Sequence, residues 1–426
     1  MIDNLSDPPC DARMPGHADR ARAAGMMQRA GLDALLIVSP EAFHWATGAP
    51  AGVAAGWRRL GAAMAVIPAD PSAPVGAVAS DLFAGPALAA GCAPLRTHPI
   101  WPEALSLRAV MRDGASAADL IAAATADRPP GFARPATFDR AAALAQLRAL
   151  LADQRLAGAR LGVELSAVPA ADLPALEAAI APARVIDASA LIDRLRSRKS
   201  ATEIALLRQA GAITEAALKA LIPAIREGAT RAALGRHFLD LVQQHAAGAS
   251  APVTAWEYVG FGTSPWSSPG TLSPGDVIKV DVGAVVGGYS ADLARTFTLG
   301  PAPRLAREVF APLLDAFEAG RALFTPGTAL ATIHETCIRT VHAAGFPSYA
   351  RGHVGHGLGA SIWSEEWPFT AADSDVVLEP GMVMAFEMPW YLDGIGGFIV
   401  EDMLLITDTG AETLAGATLP RGLVAL

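Results

Sequence analysis

Four carboxylates and one imidazole stand where two pairs of strands could bring them together: Asp281, Asp292, Glu387, Glu401 and His356. Residues 276–283 have the pattern of a strand, and residues 289–297 read as its return, with Gly287-Gly288 supplying the turn. If those glycines are the loop, Val286 faces Tyr289 and Asp292 faces Gly283. Asp281 and Asp292 then share a face as diagonal neighbours, roughly 7–8 Å apart between backbones. Two acids converging in a buried sheet repel, and one pKa must rise unless a cation sits there. A pair of metal ions about 3.5–4 Å apart fits between them and removes the conflict.

A second strand pair repeats the device. Residues 382–391 carry Glu387 and residues 398–407 carry Glu401, and a loop over 392–396 centred on Gly394 sets the two glutamates opposite each other. Between the hairpins lies the run from Gly352 to Gly359, whose glycines let the backbone approach closely while His356 offers the nitrogen ligand. Such a set is mostly hard oxygen and suits two divalent ions, manganese first, with cobalt, zinc or iron as alternatives. Bound there, they would lower the pKa of a bridging water and polarise a carbonyl, the logic of amide hydrolysis. His353, three residues before His356, stands open between a proton shuttle and a structural hydrogen bond.

The elements that position these residues follow from the pattern of the whole chain. Its 426 residues exceed one ordinary core, and 52% apolar against 18% charged residues is the balance of a folded enzyme. A net charge of −9 without a basic run excludes a nucleic-acid binder. Apolar stretches are interrupted well short of a membrane span, and the acids and prolines near the start do not make a secretory signal, so a cytoplasmic protein is expected. Cys10, Cys92 and Cys337 are scattered without metal or redox spacing and read as buried or idle thiols.

The first part alternates a helix over 17–30, a strand over 34–38, further strands near 63–67 and 161–165, and a helix over 139–157. An α/β domain over residues 1–190 follows. Ser200 and Glu203 have capping-box spacing and open a second domain, 191–426, in which two helices precede a strand-rich remainder. His334-Glu335 begins like a helical zinc motif, but Ile338 takes the place of its second histidine; no phosphate loop or nucleophile elbow occurs.

These residues resemble the pita-bread metallopeptidase family of methionine aminopeptidase, prolidase, aminopeptidase P and creatinase. Asp281-Val282-Gly283, Gly288-Tyr289, Asp292 and Arg295-Thr296 look like one family segment. Gly355-His356-Gly357-Leu358-Gly359 is similar to the family's ligand loop, and Glu379-Pro380-Gly381-Met382 with Glu387, then Glu401-Asp402, to its glutamate segments. Leu195-Arg196, Lys199-Ser200 and Glu203-Ile204 are similar to the opening of its catalytic domain. Residues 31–36 and Ser39-Pro40 with Thr47-Gly48 look like the N-terminal domain of the creatinase and Xaa-Pro branch. The resemblance implies a pita-bread catalytic domain behind a creatinase-like α/β domain, a homodimer, Xaa-Pro peptidase-like hydrolysis, and a role for Glu387 as proton-accepting base in addition to ligand.

Family peptidases carry two further histidines and an arginine that this chain replaces. Thr263-Ser264-Pro265-Trp266-Ser267-Ser268 stands at the first histidine's place, Trp363 at the second's, and Ile399 at the arginine's. A small-molecule enzyme on the same scaffold, whether an amidine or amide hydrolase or a metal-dependent lyase, is therefore carried as an alternative, with a non-catalytic binding module behind it. Trp266, Trp363, Trp367 and Trp390 adjoin the proposed ligands and read either as an aromatic pocket or as ordinary packing.

Overall fold

The computed structural model describes residues 16–264, 267, 270–361 and 365–426, so Cys10, Trp266 and Trp363 lie outside the described residues. The chain divides into two units between Ile192 and Asp193.

The N-terminal unit is built on six strands, β1 (Ala34–Ile37), β2 (Met64–Pro68), β3 (Gly76–Ser80), β4 (Leu95–His98), β5 (Arg160–Val163) and β6 (Arg184–Asp187), in the order β4-β3-β2-β1-β5-β6. β1 and β2, and β2 and β3, are antiparallel, and the other pairs are parallel. Leu36, Val66, Val78, Leu161 and Val163 bury one face of the sheet against Leu144, Leu147 and Leu151 of the helix Arg140–Asp153. That helix starts where Asp139 accepts from the amides of Ala141 and Ala142. Ser39-Pro40 turns the chain after β1 because buried Glu164 accepts from the Val38 and Ser39 amides, at 3.0 and 2.8 Å, and from the Ser39 hydroxyl.

Burial, then the neighbouring His44 ring, pushes His17 in this unit down to about 4. The unfolded chain takes up a proton near pH 6.5 that the folded chain refuses, so this contribution is complete above that pH and is lost as the pH falls toward 4. It amounts to roughly 3 kcal/mol at most. Urea unfolding of wild type and His17→Gln across this window checks it: the variant should lose less stability on acidification, and parallel curves would refute the assignment.

The second unit opens on the helix Ala201–Leu221, where Ser200 and Glu203 form a reciprocal capping box. The helix Arg231–His245 follows, and then the strands. β7 (Val253–Glu257), β8 (Gly260–Phe261), β9 (Val277–Val286), β10 (Tyr289–Ser290) and β11 (Leu293–Thr298) gather around β9. A second sheet runs β13-β12-β14-β17-β18, from β12 (His353–Gly357), β13 (Glu366–Ala371), β14 (Val383–Glu387), β17 (Glu401–Ile406) and β18 (Ala411–Ala415). β15 (Trp390–Leu392) and β16 (Gly396–Phe398) form a small ribbon, and β19 (Val424–Ala425) pairs with β11.

Two differences from the sequence reading have physical causes. The strand-rich remainder is interrupted by two amphipathic helices, Arg304–Arg321 and Leu330–Ala343, whose Phe310, Leu313, Phe317, Ile333 and Cys337 form the core beneath β14. The expected strand over 382–391 is broken at Met388-Pro389, because proline has no amide to offer the ladder. Its partner breaks at Ile399-Val400, and one hydrogen bond, Met388 N–H to the Val400 carbonyl at 2.9 Å, holds the two halves in register.

Cys92 and Cys337 are buried, and burial raises their thiols to about 11 and about 12, which leaves them unreactive. Among the described residues no helix is long and apolar enough to cross a membrane.

Candidate metal centre

Strands deliver four of the five proposed ligands, Asp281, His356, Glu387 and Glu401. On β14, Phe386 points into the core, stacked at 4.7 Å on Phe317, so Ala385 and Glu387 face the other way. Glu387 pairs with Glu401 of β17, and His356 of β12 pairs with Ala385. Gly355 precedes that histidine at φ 151°, and a β-carbon there would collide with the Ala385 carbonyl, so glycine is what lets β12 close on β14.

On the other sheet the pairing is the one the Gly287-Gly288 turn predicts, with Val286 opposite Tyr289 and Asp281 opposite Ala294. Asp292 falls in the gap between β10 and β11, where the Ala291 amide still reaches the Ala284 carbonyl at 2.9 Å. Gly283 makes the gap possible, since a β-carbon there would meet both the Ala291 carbonyl and the Trp256 ring.

The two sheets bring Asp292, His356 and Glu401 together, with one potential ligand atom from each inside 4.8 Å, all three residues buried. His356 Nε2 lies 3.6 Å from Asp292 Oδ2, while its Nδ1 lies 3.1 Å from the Gly357 carbonyl. Donation from Nδ1 would fix the tautomer whose Nε2 lone pair faces the acids, the arrangement a metal-binding histidine requires. Burial, then Asp292, Glu387 and Asp281, pushes Glu401 well above the ordinary carboxylate range, and its buried Oε2 finds no hydrogen-bond partner among the described residues. This donor set fits a divalent cation, which would relieve both strains.

Asp281 and Glu387 lie within electrostatic reach of the trio, but each already holds a side-chain cation. Lys279 Nζ is 2.8 Å from Asp281 Oδ2, and Arg351 is 2.8 Å from Glu387 Oε1. Burial raises the Asp281 pKa while Lys279 opposes the rise. Arg351 is itself placed, donating from Nε to the His353 carbonyl at 2.9 Å while its own carbonyl lies 2.9 Å from His334 Nε2. The His334-Glu335 segment thus does structural work.

His353 Nδ1 lies 3.6 Å from Glu387 Oε1, and its ring stands edge-on to His356 at 6.0 Å. Burial lowers its pKa, which keeps the ring neutral near pH 7 and able to accept a proton. Sequence reasoning missed Lys279 and Arg351. The signal for Lys279 was its place two residues before Asp281, hence on the same strand face; Arg351 lies just outside the glycine-rich run and carried none. Of the four tryptophans, Trp390 packs edge-on against Phe346 and Tyr349, and Trp367 lies under the Arg194 guanidinium at 5.4 Å, so both are accounted for by packing.

Residues 205–408 match metallopeptidase family M24. An uncharacterized peptidase of Staphylococcus aureus is 26% identical over 230 residues, 54% of this chain and 65% of the relative. The Xaa-Pro dipeptidase of Pyrococcus furiosus is 30% identical over 143 residues, 34% of this chain and 40% of the relative. The chain therefore spans less than two thirds of the length of these relatives. Among solved structures, an Xaa-Pro dipeptidase from Bacillus anthracis superposes with a TM-score of 0.73 at 21% identity, covering 96% of this chain and 99% of that one. The architecture is the α/β, pita-bread arrangement that the sequence implies.

Proposed function

We propose, from the premise that residues 205–408 form a domain of metallopeptidase family M24, that this protein is a metal-dependent hydrolase of an amide-type C–N bond, of the Xaa-Pro peptidase kind. The observation that carries the reading is the buried convergence of Asp292, His356 and Glu401. A site evolved only to dock a partner has no use for acids packed together at such electrostatic cost.

Asp292, His356 and Glu401 would hold the ion, manganese first, with Asp281 and Glu387 as the remaining carboxylates of the expected set. A bound divalent ion supplies an acidified water and a polarised carbonyl. The chain's own residues do the rest. Arg351 fixes Glu387, and Glu387 with the neutral His353 beside it forms the pair that would accept a proton from the attacking water and pass it to the leaving nitrogen.

One observation favours a second reading, a small-molecule amide or amidine hydrolase or a lyase on the same scaffold. Ile399 stands where the resemblance leads one to expect a substrate-gripping arginine, and it is 1% exposed, with its backbone amide and carbonyl both bonded to the Thr296 hydroxyl. Its side chain offers nothing to grip a peptide.

The experiment is metal analysis of the purified protein after loading with manganese, cobalt, zinc or iron. It is followed by assay against Xaa-Pro dipeptides, longer Xaa-Pro peptides, and N-acyl and amidino compounds. Metal uptake with chelator-sensitive cleavage of an Xaa-Pro bond is expected. Uptake with turnover of the small compounds alone selects the second reading, and a folded protein that takes up no metal overturns both.

A further inference from the structure

We propose that Lys279 provides one of the positive charges of this site in the position a second metal ion would need, so that the chain binds one divalent ion. The inference rests on the metallohydrolase reading and sets a single-ion centre against the expectation of a dinuclear one.

Charge counting gives the first argument. Asp281, Asp292, Glu387 and Glu401 bring four negative charges when ionised, and Lys279 and Arg351, in direct contact with Asp281 and Glu387, return two. One divalent ion completes neutrality. A second would leave two surplus positive charges in a buried place, where they repel far more strongly than in water.

Geometry gives the second. Lys279 and Asp281 lie two residues apart on β9, so both side chains leave the same face, and the ammonium claims Asp281 Oδ2 at 2.8 Å. To serve as a metal ligand through that oxygen, Asp281 would have to expel an ammonium whose side chain is only 13% exposed.

The ammonium is also held between two aromatic rings. It stands 5.8 Å from the centre of the Tyr258 ring and 5.6 Å from that of Tyr391, two electron-rich faces that hold a cation in place. Tyr258 is anchored beside Asp281 by its own amide, which donates to the Asp281 carbonyl at 2.8 Å, and Tyr391 is fixed in the β15–β16 ribbon opposite Gly397. The buried trio Asp292, His356 and Glu401 then remains to hold a single ion.

Metal stoichiometry of the full chain tests this. With excess manganese or cobalt followed by removal of free metal, wild type should saturate at one ion per chain. Lys279→Met, which keeps the apolar stem between the two tyrosines, should saturate at two. The manganese form of the variant should show the exchange-coupled electron paramagnetic resonance signal of a paired site, and wild type the signal of an isolated ion. If Lys279→Met fails to fold, Lys279→Gln combined with Asp281→Asn decides, since it removes one charge of each sign: its affinity for the single ion should stay within a few-fold of wild type, and a loss of tenfold or more, about 1.4 kcal/mol, overturns the proposal. Two ions in wild type, or one in a folded Lys279→Met, also overturns it while leaving the hydrolase reading intact. A folded wild type that takes up no ion sinks the hydrolase reading itself and this inference with it.

Discussion

Glu401→Gln should make the metal-free protein more stable and the metal-loaded protein inactive. Glu401 is 2% exposed, and burial together with three neighbouring acids works against its ionised form. An acid whose folded pKa is raised costs stability that grows as the pH rises above its unfolded value of about 4, so a cost is present at neutral pH and a neutral amide of the same shape removes it. A gain of roughly 1–3 kcal/mol is expected, the scale of a buried polar group without a partner. In a unit of this size each kcal/mol moves the melting temperature by about 2–4 °C. Excess metal should reverse the order. Wild type gains about 2.7 kcal/mol at a concentration one hundred times the dissociation constant, and the variant, lacking a charged ligand, gains little. Losing several kcal/mol of transition-state stabilisation lowers turnover by at least about 10³-fold. Differential scanning fluorimetry with and without manganese, beside the hydrolysis assay, checks both halves. A variant that is less stable without metal and still turns over would show that Glu401 is a structural acid.

The same physics separates what was legible in the sequence from what was not. Both registers could be read because paired glycines and a Gly-centred loop dictate how strands return, and the period of two then fixes which acids share a face. The strand breaks at Pro389 and Val400 were hidden in that period, since a hydrogen bond carries the register across them. The helices Arg304–Arg321 and Leu330–Ala343 lie outside that period of two, and their signal is the helical spacing of Phe310, Leu313 and Phe317, which marks an apolar stripe. The neutralising cations escaped for a deeper reason. Repulsion among four acids says only that positive charge must be present; whether a metal or a lysine supplies it depends on where a long side chain ends, and β9 brings Lys279 back onto Asp281. The convergence of acids was legible as chemistry; which cation meets each of them was legible only as geometry.

Asp402→Ala should be the most damaging single change outside the proposed ligands, costing about 3–5 kcal/mol. The carboxylate is fully buried and accepts from Arg295 at 2.8 Å and from Arg421 at 2.8 and 2.7 Å, with Arg321 at 3.5 Å. Arg295 is 1% exposed and has nowhere else to place its charge. It also donates to the carbonyls of Glu401 and Gly416, so it ties β11 to β17 and to the end of β18. Adjacent strand residues face opposite ways: Glu401 turns toward the site and Asp402 toward this cluster, and slackening one side disturbs the other. The variant should therefore lose metal affinity as well as stability, although it removes no ligand. Arg421→Met gives the contrast, because that side chain is 24% exposed and Asp402 keeps Arg295; a loss of about 1 kcal/mol is expected. Arg295→Met combined with Asp402→Leu should recover part of what Asp402→Ala loses, since it removes the fully buried charge, while Arg421, 24% exposed, keeps Glu318 at 3.5 Å. Chemical denaturation of the three variants reads this directly. Equal losses for Asp402→Ala and the double variant would mean that the ion cluster shapes the β11–β17 contact in a way apolar packing cannot replace.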